Sequence, residues 1–305
     1  MNTERKPIFR GVCTALATPF KNGEVDYPAL ARMLEYQKAG GITAVALCGT
    51  TGEAPTLEEE ECVRILRFAR ECVGDAMTIV AGTGTNCTKS AIRRTENAVR
   101  EGADALLVVT PYYNKGTFDG VFSHYMEIAS VSTLPLILYN VPSRTGVDLS
   151  LELMHRLSVH PQIVALKEAC GNFDKMARFM HELGSRYALY SGNDSQILPT
   201  LALGGMGVIS VVSNLLPRRT ALLCHAYFEG DILLAATLQS ELLPLVDLLF
   251  KETNPAPVKA ALAMLGLCEN ELRLPLAPIS PALERAIDTE LSRLLPLEKD
   301  TELHA

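Results

Sequence analysis

A chain of 305 residues with 48% hydrophobic and 21% charged residues has the apolar material for a large core and lies far from the composition of a disordered polypeptide. Its net charge of -7, without clustered Lys and Arg, argues against a nucleic-acid binder, which must neutralise phosphates. No run reaches the roughly 18 uninterrupted apolar residues of a membrane span, and the opening MNTERKPIFRG lacks the apolar segment of a secretion signal, so a soluble, cytoplasmic enzyme is expected.

Short apolar runs of β type alternate along the chain with longer amphipathic stretches. In order they are GVCTALATPF (11–20), ITAVALCG (42–49), MTIVAGTG (77–84), ALLVVTP (105–111), PLILYNVP (135–142), IVALKEA (163–169), YALYSG (187–192) and GVISVVS (207–213). Near-continuous apolar strands separated by helical patterns predict a parallel sheet covered on both faces. Eight such units within 1–230 predict a closed (β/α)8 barrel of the TIM type. An open doubly wound sheet is the alternative, but no G-x-G-x-x-G follows the first strand. From 231 to 305 the alternation gives way to three helical patterns (232–250, 256–266 and 280–295) punctuated by prolines, which predict a C-terminal helical region. The polar tail LEKDTELHA is expected to fray. The eight cysteines form no C-x-x-C pair and several lie in apolar runs, so reduced, buried thiols are expected and a zinc site is not.

Active sites of such barrels sit at the C-terminal ends of the strands. The segment Ile163 to Asn172 places Lys167 at the end of an otherwise apolar strand, where alternation puts Ile163, Ala165 and Lys167 on one face. Loss of water there disfavours an ammonium and frees a nucleophilic amine, the condition for a Schiff-base lysine. An isolated lysine more often lays its stem along the strand and keeps its head in water. The second strand ends in CGTTGEAPT, where Gly49 and Gly52 permit close backbone approach and Thr50 and Thr51 offer hydroxyl and N–H groups to a small carboxylate; a plain tight turn is the alternative. The fourth ends in TPYYNK, with Tyr112 and Tyr113. The fifth ends in YNVPSRTG, where Ile137 and Tyr139 share a face and Arg144 has a fork suited to a carboxylate. Tyr139 beside Lys167 suits proton transfer, although strand-end tyrosines more often only pack, and Arg144 has a solvated loop position as its alternative.

Taken together, GTTGE, TPYYN, YNVPSRTG, the lysine of ALKEA, SGND, GGMGVIS and NPAPVK resemble, in order and spacing and over nearly the whole chain, the dihydrodipicolinate synthases. These belong to a wider group of pyruvate-dependent class I aldolases that includes N-acetylneuraminate lyase, and Arg144 is the element typical of the synthases. The resemblance implies that Lys167 forms the pyruvate imine, and that Tyr139 relays protons with Thr50 and with a Tyr113 supplied by a neighbouring subunit. It further implies that Thr51 holds the pyruvate carboxylate, that Gly192, Asn193 and the Ile209 backbone line the site, and that Arg144 meets the carboxylate of L-aspartate 4-semialdehyde. Neither a metal nor an organic cofactor is implied, and the expected assembly is a homotetramer built as a dimer of dimers. Asn193 departs from a position at which many members carry an acid. The family's lysine feedback site is also incomplete: Asn86 and Tyr112 are present, but Glu59 and Cys62 replace histidines and Ser90 replaces a glutamate, so weak or absent inhibition by L-lysine is expected. The rival readings are another pyruvate aldolase, acting on a sialic acid or keto-sugar acid, and a non-catalytic keto-acid-binding protein.

Overall fold

A computed structural model describes residues 7–301. The predicted strands form one closed parallel barrel in chain order: β1 (Gly11–Ala15), β2 (Ala44–Leu47), β3 (Thr78–Gly82), β4 (Ala105–Val109), β5 (Leu136–Asn140), β6 (Ile163–Glu168), β7 (Ala188–Ser191) and β8 (Gly207–Ser210), which pairs back onto β1. Around it run α1 (Tyr27–Ala39), α2 (Glu59–Val73), α3 (Thr88–Arg100), α4 (Phe118–Ser130), a short α5 (Pro142–Thr145), α6 (Leu151–Leu157), α7 (Phe173–Leu183), α8 (Ile197–Ala202) and α9 (Pro217–Phe228). Three more helices follow, α10 (Ile232–Leu249), α11 (Ala256–Met264) and α12 (Pro281–Lys299).

Local chemistry starts these helices where the pattern says they should. Asp26, Thr117, Ser150, Asn172, Asp231 and Ser280 each accept a backbone N–H from the first turn of the helix they precede, satisfying donors that have no partner inside it. The barrel's two faces divide the side chains. Large aliphatics such as Val45, Leu106, Leu138 and Leu166 point outward under the helices, whereas small residues such as Cys13, Ala44, Ala46, Ala105, Ala165 and Ala188 dominate the narrow interior. The seam between β8 and β1 closes on two glycines in register, Gly207 and Gly11; a Cβ on Gly207 would lie 1.8 Å from the Gly11 carbonyl oxygen. At the N-terminal mouth Phe9 stacks on Tyr190 with centroids 4.1 Å apart, and the Tyr190 hydroxyl donates to the Phe9 carbonyl at 2.8 Å.

Two expectations change. Ile163 does not share the Lys167 face: the β5–β6 ladder slips between Leu136↔Ile163 and Ile137↔Ala165, so Ile163 joins the outer core while Ala165 faces inward. One extra residue in a strand inverts the face of everything before it. The tail does not fray from Leu297. α12 continues to Lys299, and the buried Glu298 accepts the backbone N–H groups of Arg218 and Arg219 at 2.8 and 2.9 Å, capping α9; burial pushes its carboxyl up to about 7. Residues 302–305 of that tail lie outside the described residues. The helix α10 is long and apolar enough by composition to cross a membrane, but its Leu238, Leu242, Leu245 and Leu249 are buried in the core.

Candidate active site

A cavity of about 420 Å3 opens at the C-terminal end of the barrel. Strand ends and loops supply its wall: Thr50 and Thr51 after β2, Tyr139 at the end of β5, Arg144 on α5, Lys167 on β6, and Gly192 and Asn193 after β7. The alternation of β6 past its bulge turns Lys167 inward, where it is only 5% exposed. Register pairs Lys167 with Tyr139, and Lys167 Nζ lies 4.2 Å from the centroid of the tyrosine ring. Among the described residues no hydrogen bond or ion pair to a carboxylate or carbonyl is found for that nitrogen, and it lines the cavity over the Tyr139 ring. Gly192 makes room for it: a Cβ there would lie 2.7 Å from the Ala169 Cβ and 3.2 Å from Lys167 Cε.

The turn after β2 is pinned from the helical region. Asn254 Nδ2 donates to Thr51 Oγ1 at 3.0 Å, and Arg144 Nη2 donates to the Asn254 carbonyl at 3.2 Å. Residues 250–254, between α10 and α11, thus complete the cavity wall. Sequence reasoning marked NPAPVK only as a resemblance and gave Asn254 no role; the signal was present, because an Asn-Pro pair beside a helix start fixes a backbone turn. Also missed was Asp194. This buried carboxylate accepts the N–H groups of Val211 and Val212, both at 2.9 Å, and so shapes the cavity edge at the end of β8. Burial pushes its pKa up, while the two N–H bonds and the charge of Lys167 oppose the shift.

Two expected members stand apart. Ile209 is buried among the inward side chains below the cavity, and Val211 forms the wall at that strand. Tyr113 is 90% exposed with a left-handed φ of 70°, outside the cavity of its own chain. Among the described residues, no hydrogen bond joins Tyr139 to Thr50 or Tyr113, although Thr50 and Tyr139 line the same space. A second cavity of about 390 Å3 adjoins the first across Thr50, Tyr139 and Arg144 and reaches Tyr112.

In the place of the lysine feedback site, Glu59 accepts from Arg93 Nε at 2.7 Å and from Asn97 at 2.8 Å, so its charge is already matched. Hydrogen bonds and charge from Arg93 hold its carboxyl below the usual range.

Comparison with known proteins agrees with this architecture. The model of the dihydrodipicolinate synthetase family matches residues 8–294. The 4-hydroxy-tetrahydrodipicolinate synthase of Magnetococcus marinus is 46% identical over 292 residues, covering 96% of this chain and 100% of that protein. Its counterpart from Leptospira biflexa is 45% identical over 273 residues, covering 90% and 93%. The solved 4-hydroxy-tetrahydrodipicolinate synthase of Methylacidiphilum fumariolicum superposes with a TM-score of 0.93 at 43% identity, over 95% of this chain and 99% of that one. An eight-stranded barrel with a buried lysine at its mouth, matched in sequence and shape over nearly its full length, belongs to the dihydrodipicolinate synthetase family.

Proposed function

We propose that this chain is a 4-hydroxy-tetrahydrodipicolinate synthase that condenses pyruvate with L-aspartate 4-semialdehyde through an imine on Lys167. The observation that carries the reading is the buried, unpaired Lys167 amine against the Tyr139 ring in a cavity that also holds Arg144 and the Thr50–Thr51 turn. The amine attacks the ketone carbon of pyruvate, and the carbinolamine loses water to give an imine. The protonated imine is the electron sink: loss of a methyl proton gives an enamine, whose carbon attacks the aldehyde. The substrate's own amine then attacks the imine carbon and expels Lys167. Carbinolamine formation and dehydration each move a proton beside the lysine, the role proposed for Tyr139 with Thr50 and with Tyr113 of a second copy. Thr51 is assigned to the pyruvate carboxylate and Arg144 to that of the aldehyde.

An exposed Tyr113 suits insertion into a neighbour's site, and a homotetramer is the proposed assembly. We read residues 1–230 as the catalytic barrel and 231–305 as the helical unit whose 250–254 segment walls the site. Eight free thiols suit a reducing compartment, and the cytoplasm is proposed.

The test is pyruvate-dependent consumption of L-aspartate 4-semialdehyde, coupled to the reductase that oxidises NADPH, together with borohydride trapping of pyruvate. Turnover requiring both substrates, and loss of the trapped adduct in Lys167→Ala, is expected. An adduct persisting in that variant overturns the role of Lys167. Trapping in the parent without aldehyde turnover moves the assignment to another pyruvate aldolase.

A further inference from the structure

Cys48 directly follows β2 and precedes the Gly49–Thr51 turn, while Cys62 lies in the first turns of α2. The two thiols are free and face the same gap between strand end and helix. They share a small enclosed space with Glu59, Gly82 and Arg94. Cys48 has a left-handed φ of 53°, rare for a residue with a side chain. Its carbonyl rests on Gly82, where a Cβ would come within 2.2 Å of the Cys48 oxygen. Arg94 supplies an independent sign that the space takes a ligand: its Nε is buried and has no hydrogen-bond partner among the described residues.

The electrostatics separate the two sulfurs. Interaction with Cys48, with the charge of Arg94, holds the Cys62 thiol below its ordinary value against the opposing effect of burial; the same interaction and burial hold Cys48 well above. Glu61 and Glu59 oppose the first effect, but Arg273 and Arg93 pair with them. One thiol is thus set to react first and the other lines the same small space.

We propose that Cys62 and Cys48 form a peroxide-oxidisable pair, with the free Arg94 Nε–H as the donor that orients the oxidant. The Cys62 thiolate attacks one oxygen of hydrogen peroxide, the O–O bond breaks, and the departing hydroxide takes a proton and leaves as water. Cys62 is then a sulfenic acid. The Cys48 sulfur attacks the Cys62 sulfur, an S–S bond forms, and the sulfenic oxygen leaves as a second water. The protein loses two electrons and two protons, and peroxide is reduced to two waters. Because Cys48 adjoins Gly49, the disulfide draws the Thr50–Thr51 turn toward α2; this last consequence rests on the proposed function of that turn.

The test uses a Cys72→Ser/Cys87→Ser background, which removes the two exposed thiols. After hydrogen peroxide, intact mass is expected to fall by two hydrogens, and proteolysis is expected to release a linked Cys48–Cys62 peptide. In Cys48→Ala, Cys62 is expected to stop as a dimedone-trappable sulfenic acid, and Arg94→Leu is expected to slow oxidation by about tenfold. Both thiols remaining alkylatable, or a linkage through other cysteines, overturns the pair. The mass readout does not depend on any enzymatic activity, so it stands apart from the synthase reading. Pyruvate trapping on Lys167 is expected to slow roughly ten- to a hundredfold in the disulfide form and to recover with dithiothreitol. A complete disulfide with unchanged trapping overturns the link to the turn.

Discussion

Lys259 on α11 donates to Glu53 at 2.6 Å, and both side chains are wholly removed from solvent. Glu53 adopts a left-handed φ of 55° just past the Thr50–Thr51 turn, and its other carboxylate oxygen accepts the Arg273 N–H at 3.1 Å. The pair ties the barrel segment just past the Thr50–Thr51 turn to the helical region. Burial pulls the Lys259 pKa down, and Glu53 opposes that shift.

Removing one partner strands the other charge in the interior. Lys259→Met should lower stability by about 3–5 kcal/mol, whereas Glu53→Gln with Lys259→Met should restore most of it. Thermal unfolding of the two variants beside the parent checks this. A single variant as stable as the parent would show that the pair contributes nothing.

Gly192→Ala places a methyl against the Ala169 Cβ and the Lys167 stem. A displacement of the amine by about 1 Å predicts a loss of up to a hundredfold in kcat/KM for pyruvate with little change in thermal midpoint. Borohydride trapping as a function of pyruvate concentration reads the effect at Lys167 directly.

His124 is buried between α3 and α4, with Nδ1 2.9 Å from the Thr88 hydroxyl, and burial pulls its pKa down from 6.5 to about 4. A lowered folded value means that the unfolded chain binds the proton first. Stability is therefore full above pH 6.5 and declines as pH falls toward 4, by up to about 3 kcal/mol at one proton per molecule. His124→Gln should flatten the dependence of urea unfolding on pH across that window; an unaltered slope would assign it to other groups.

L-lysine should inhibit weakly or not at all, because Ser90 offers no carboxylate for its ammonium and Glu59 is already engaged by Arg93 and Asn97. A titration of activity with L-lysine measures this, and Ser90→Glu should increase sensitivity. Strong inhibition of the parent below millimolar concentration would contradict the account.

The sequence by itself determined the eight strands, the helices between them and the inward placement of Tyr139 and Lys167, because alternation and helical period are local properties that short stretches carry whole. It also marked Thr50, Thr51, Tyr139, Arg144, Lys167, Gly192 and Asn193, which line the cavity, but not Val211, which stands on the wall where Ile209 was expected. Only the tertiary structure decided the bulge that turns Ile163 outward, the Asn254 bond to Thr51, the Asp194 grip on the end of β8 and the Glu53–Lys259 pair. Those features join residues far apart in the chain, up to 206 positions in the last case. Buried polar atoms find their partners wherever the closed barrel and its helices bring them, and no local periodicity records that choice.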